Sequence, residues 1–94
     1  MTLTEFKKSL AEQQPPPVAV LLQALWYDAR GDWEKAHAIA QEVNTKDGSW
    51  IHAYLHRKEG DHFNAQYWYT RANRALPKID LDEEWNFIVK ELLS

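Results

Sequence analysis

Ala53-Tyr-Leu-His-Arg-Lys-Glu-Gly60-Asp61-His-Phe-Asn-Ala65 repeats the layout of Ala24-Leu-Trp-Tyr-Asp-Ala-Arg-Gly31-Asp32-Trp-Glu-Lys-Ala36, 29 residues earlier. The same shift places Ile51 on Leu22, Leu55 on Trp26 and Ala72 on Val43. Each copy reads as a helical hairpin. Glycine supplies the left-handed residue that ends one helix, aspartate caps the next, and the small residues let two helix axes approach closely. A recurring unit of this kind is the signature of helices stacked pair upon pair.

Apolar residues recur at helical spacing along the rest of the chain, and strand-type alternation is nearly absent. Thr2 with Glu5 forms a capping box, after which Leu3, Phe6 and Leu10 share a face. Pro15-Pro16-Pro17 forces an extended stretch, and Pro17 is expected to open a second helix reaching Arg30. That helix is apolar on several sides and reads as the central one. In the third, Trp33, Ala36, Ile39, Ala40 and Val43 form one stripe. Lys46 to Ser49 reads as a turn, a fourth helix runs from about Ser49 to Glu59, and a fifth ends before Pro77. Asp80 with Glu83 caps a sixth, which carries Trp85, Ile88, Val89 and Leu92. The expected fold is all-α: one six-helix domain over residues 1–94, with two repeat-like antiparallel hairpins.

The hairpin pattern resembles the tetratricopeptide repeat family. Ala53, Gly60, Ala65, Tyr69, Ala72 and Pro77 fall at that family's spacing, as do Ala24, Tyr27, Gly31, Trp33 and Ala36. The resemblance spans about residues 20–77. It departs in period, since the family repeats at about 34 residues, and in His56, which stands where the family prefers tyrosine. The stretch from His52 to Asp61, with Asn64-Ala-Gln-Tyr-Trp-Tyr after it, also looks like a group of small bacterial proteins of unassigned function. The repeat resemblance implies a helical scaffold that binds a peptide or a partner protein and performs no catalysis.

Composition sets outer bounds. With 94 residues, 45% hydrophobic and 27% charged, the chain has the apolar content of a folded domain rather than a disordered one. Size scaling predicts roughly 5,600 Å² of exposed surface for one folded globule of this mass. The longest mostly apolar run, Val18 to Tyr27, is interrupted by Gln23 and is too short to cross a membrane. No cysteine is present and no secretory leader is visible, which points to the cytoplasm. A net charge of −3 argues against general nucleic-acid binding. Residues 48–76 are nonetheless net positive, with four basic and two acidic groups, and rich in aromatics.

Two groups of residues stand out as candidate sites. Trp50, Tyr54 and Arg57 line the side that a repeat-like hairpin would present to a partner, with Trp50 expected to be exposed in the first turn of its helix. Phe63, Tyr67 and Arg71 form a second aromatic and basic face, suited to stacking and cation–π contact. The alternative to that face being free is packing on the acidic last helix, with Arg71 and Arg74 paired to Asp82, Glu83 or Glu84. The second group is His52, His56 and Glu59, with Asp61 beside them, all on one face by helical spacing. Two imidazoles one turn apart can ligate zinc, and a carboxylate can add a third vertex. This centre would suit a metal- or small-molecule-binding protein, or a hydrolase, although Ala53 occupies the position of the catalytic glutamate in the zinc-protease motif. His37 and His62 would join only if the fold brought them near. Two readings of this helix conflict. The repeat register turns His52 and His56 toward the partner helix, whereas apolar periodicity centres on Trp50, Ile51, Tyr54 and Leu55. Asp28, on an apolar helix, needs a cation, for which Arg30 and Arg57 are candidates.

Overall fold

The caps written into the sequence set most of the helix starts. In the computed structural model, which describes residues 1–94, α1 (Leu3–Ser9) begins on the Thr2–Glu5 capping box and α6 (Leu81–Leu93) on the reciprocal Asp80–Glu83 box. Asp32 caps α3 (Trp33–Gln41) by accepting from the Lys35 amide, and Asp61 caps α5 (His62–Arg71) by accepting from the Asn64 amide. Gly31 and Gly60, just before them, both lie at φ +86°, a left-handed conformation that favours glycine. Across these two links α2 (Val20–Ala29) packs on α3, and α4 (Lys46–Lys58) packs on α5. No strand is present. A radius of gyration of 12.3 Å and an exposed surface of 5762 Å² match one globule of this length.

Four boundaries or placements depart from the sequence reading. Pro17 does not open α2; the chain stays irregular to Ala19, with the Val18 amide turned back to the Pro16 carbonyl. Lys46 to Ser49 is not a free turn but the first turn of α4. Thr45 caps it through the Gly48 amide at 3.0 Å, and the Val43 carbonyl lies so close to Gly48 that an added Cβ would sit 2.1 Å from its oxygen. Close backbone approach, not turn formation, is the reason for glycine there. The fifth helix does end before Pro77, but Ala75 and Leu76, expected to extend its core stripe, lie in solvent, because the helix stops at Arg71 and Asn73 turns the chain at φ 58°. Finally, the central helix is α4 rather than α2. Its eight residues from Gly48 to Leu55 are all buried, and it packs against α2, α3, α5 and α6.

The core unites Phe6, Leu22, Leu25, Trp26, Trp50, Ile51, Tyr54, Leu55, Tyr69, Trp85, Ile88 and Val89 with a set of small residues. Ala24, Ala36, Ala53 and Ala65 are all buried, as close helix packing requires. Indole N–H groups fix how the helices dock. Trp26 donates to the Ser9 carbonyl at 3.1 Å, Trp33 to that of Leu55 at 2.8 Å, and Trp85 to that of Leu25 at 3.1 Å. A second buried anchor is Glu84, 2% exposed, which takes the Arg57 guanidinium at 2.7 Å and the Tyr69 hydroxyl at 2.7–2.9 Å.

Candidate functional site

Because α4 runs through the middle of the molecule, it has no solvent face over most of its length. This resolves the conflict on that helix: the histidine face and the Trp50–Tyr54 face are both covered. Trp50 is 2% exposed, lying under the Arg74 guanidinium at 3.4 Å and edge-on to Phe87. Tyr54 is equally buried, and its phenol is pushed far above its ordinary value by burial and by the neighbouring Asp28. Arg57 is turned inward to Glu84 and the Ile79 carbonyl. The expected groove of Trp50, Tyr54 and Arg57 therefore does not exist; these residues hold the core together.

The other aromatic face is free. Phe63 is 87% exposed and Tyr67 is 51% exposed, and α5 reaches α6 through Tyr69 rather than through this face. Arg71 lies over the rings of Tyr67 and Trp68 and donates to the Tyr67 hydroxyl at 3.2 Å. Of the acids expected for Arg71 and Arg74, Glu84 pairs with Arg57 and Glu83 belongs to the α6 capping box, and neither arginine has an acidic partner. Asp28 likewise pairs with Lys58, at 2.9 Å, rather than with Arg30 or Arg57. Arg30 binds the carbonyls of Leu10 and Glu12 instead.

The histidines form the densest chemistry in the molecule. His52 is 5% exposed and stacks on Trp68, with centroids 3.9 Å apart and planes 17° from parallel. His56 stacks on His52 at 4.9 Å. His37, from α3, meets both edge-on at 4.5 and 5.2 Å and is backed by Trp33. One ring nitrogen from each of His37, His52 and His56 lies within 4.8 Å of the others. His62 stays exposed on the far side of the Asp61 cap. His37 was reachable from the sequence only as a possibility, since nothing in spacing alone says which face of α3 meets α4.

Around His56 the second group forms. Its Nδ1 lies 3.1 Å from Glu59 Oε1 and 3.7 Å from Asp61 Oδ2. An imidazole nitrogen facing carboxylates carries the proton, which leaves the lone pair on Nε2. Of the three clustered histidines, only His56 is hydrogen-bonded within the protein. Asp61 is held below the ordinary carboxylate range by its bonds from Asn64, with a smaller contribution from His56. Burial, then His37 and His56, pushes His52 down to about 4. Burial, then His56, also lowers His37, against an opposing pull from Glu59. Both are thus neutral at pH 7, the form in which imidazole ligates a metal. The candidate residues fall into two groups that share His56: His52 and His56 with His37 added, and His56 with Glu59 and Asp61. No helix is long and apolar enough to cross a membrane. Searches of protein-family models, curated proteins and solved structures find no match to this chain.

Proposed function

We propose that this protein binds a borderline divalent transition metal, zinc or copper by ligand type, at the junction of α3 and α4. The observation that carries the reading is the convergence of ring nitrogens from His37, His52 and His56 within 4.8 Å. All-nitrogen donor sets suit such ions, whose ligand nitrogens sit about 3.4 Å apart when bonds are 2.0–2.1 Å long. Small ring rotations supply the difference. Glu59 supports the reading from behind, because a carboxylate on the second nitrogen of a ligating histidine fixes its tautomer and orientation. The role proposed is binding, with no catalytic step.

Metal analysis of purified protein, with thermal melts in the presence of Zn²⁺ or Cu²⁺, tests the idea. Metal at a hundredfold excess over Kd stabilises by about 2.7 kcal/mol. His37→Gln, at a half-buried position, should abolish that gain while leaving the metal-free melt nearly unchanged. Absence of bound metal together with no shift of the midpoint removes the reading.

A second reading is favoured by a separate observation, the exposure of Phe63 and Tyr67 beside Arg71. These residues suit a peptide or protein partner, in keeping with the tetratricopeptide resemblance. Phe63→Ser should leave the melt unchanged and weaken capture of such a partner. Equal capture by the variant removes this face from consideration.

A further inference from the structure

A cavity of about 370 Å³ opens where α1, α2, α4 and α6 meet, and it shares no residue with the histidine cluster. Its volume falls in the range of small-molecule sites, about 300–1,000 Å³. Asp28 lines it and is 2% exposed. Oδ1 of Asp28 takes the Lys58 ammonium at 2.9 Å, but Oδ2 is buried and, although the Tyr54 phenol neighbours the carboxylate, has no partner in hydrogen-bond geometry. The contrast with Glu84 is direct: that buried carboxylate has both oxygens occupied, by Arg57 and Tyr69. A buried carboxylate oxygen left unsatisfied destabilises the fold, and such sites mark places where something other than stability sets the residue. The cavity also carries balanced charge, with Lys7 and Lys58 against Asp28 and Asp82. Trp85 supplies an aromatic wall.

We infer that this cavity binds a small zwitterion of the amino-acid class, its ammonium donating to Asp28 Oδ2 and its carboxylate facing Lys7 and Lys58. Asp28 and Lys58 already neutralise each other, so a cation alone would leave Lys58 short of counter-charge and an anion alone would leave Oδ2 without a donor. A zwitterion matches both pairs and supplies the donor that Oδ2 lacks.

The test is a thermal melt of the whole chain with each proteinogenic amino acid at millimolar concentration, and with n-butylamine and sodium butyrate as single-charge controls. Ligand at tenfold excess over Kd should raise the midpoint by roughly 6–10 °C, and neither control should match it. Asp28→Asn keeps the shape and removes the acceptor charge. It removes the Lys58 ion pair along with that charge, so it should melt below the parent, and it should lose the shift. Ala29→Leu fills the cavity from an exposed position without touching the ion pair, and should also lose the shift. The proposal is overturned if no amino acid raises the midpoint, if butylamine raises it equally, or if Asp28→Asn retains the shift. It is equally overturned if Ala29→Leu still responds, since the ligand then does not occupy this cavity.

Discussion

Acidification from pH 7 to pH 4 should weaken the fold through His52. In the folded protein this imidazole is pressed between Trp68, His37 and His56, and its pKa falls to about 4 from an ordinary 6.5. The unfolded chain therefore binds the proton that the folded chain refuses. Between those two values stability rises with pH, so it is fully present above about 6.5 and is lost as pH falls toward 4. Below that the folded state protonates too and the loss levels off. A displacement of that size is worth about 3 kcal/mol, equivalent to a drop of roughly 15 °C in midpoint for a domain of this size. Urea unfolding followed by tryptophan emission at stepped pH measures it. His37 contributes in the same direction, and Asp61 loses its capping advantage at the acid end of the range. His52→Phe isolates the effect, since the ring stays stacked on Trp68 and loses no hydrogen bond. The variant should lose about 3 kcal/mol less than the parent across the window. Parallel curves for the two proteins would refute the reasoning.

Trp50→Ala should cost about 3–5 kcal/mol, because the ring is buried beneath Arg74; a urea midpoint close to that of the parent contradicts this. Gly48→Ala should destabilise by about 2–3 kcal/mol, although alanine normally favours a helix, since the new methyl would meet the Val43 carbonyl. Gly31→Ala meets no neighbour and should cost only the left-handed penalty, about 1 kcal/mol; the order of the two melts is the check. Glu84→Gln should cost about 2–4 kcal/mol at neutral pH, by leaving the half-buried Arg57 without its counter-charge. Chemical denaturation at pH 7 reads that loss directly.

Much of the architecture was written locally. Thr2, Asp32, Asp61 and Asp80 announce helix starts because a cap needs only its own next three residues. Gly31 and Gly60 mark stops for an equally local reason. Thr45 was legible by the same rule, but Gly48 three residues on looked like a turn, since spacing cannot reveal that the Val43 backbone lies against it. Burial of Trp50 and Tyr54 was out of reach because it depends on how many helices surround α4. Apolar periodicity assumes one dry face, and a helix enclosed by four neighbours is dry on every side. The histidine cluster was half legible. Spacing on α4 joins His52 to His56, but adding His37 requires the rotation of α3. Charge pairing was the least legible part. Sequence alone cannot choose acids for Arg57, Lys58, Arg71 and Arg74, and only the packed geometry assigns Glu84 to the first and Asp28 to the second.

Three of the five tryptophans spend their N–H on a carbonyl outside their own helix: the end of α1, the last turns of α4, and the middle of α2. Intrinsic emission from this chain accordingly reports docking rather than helicity. A state that kept its six coils but let them slide apart would free those indoles into water and shift the spectrum red, while far-ultraviolet dichroism stayed flat. The two signals together can separate loosening from melting with no label attached.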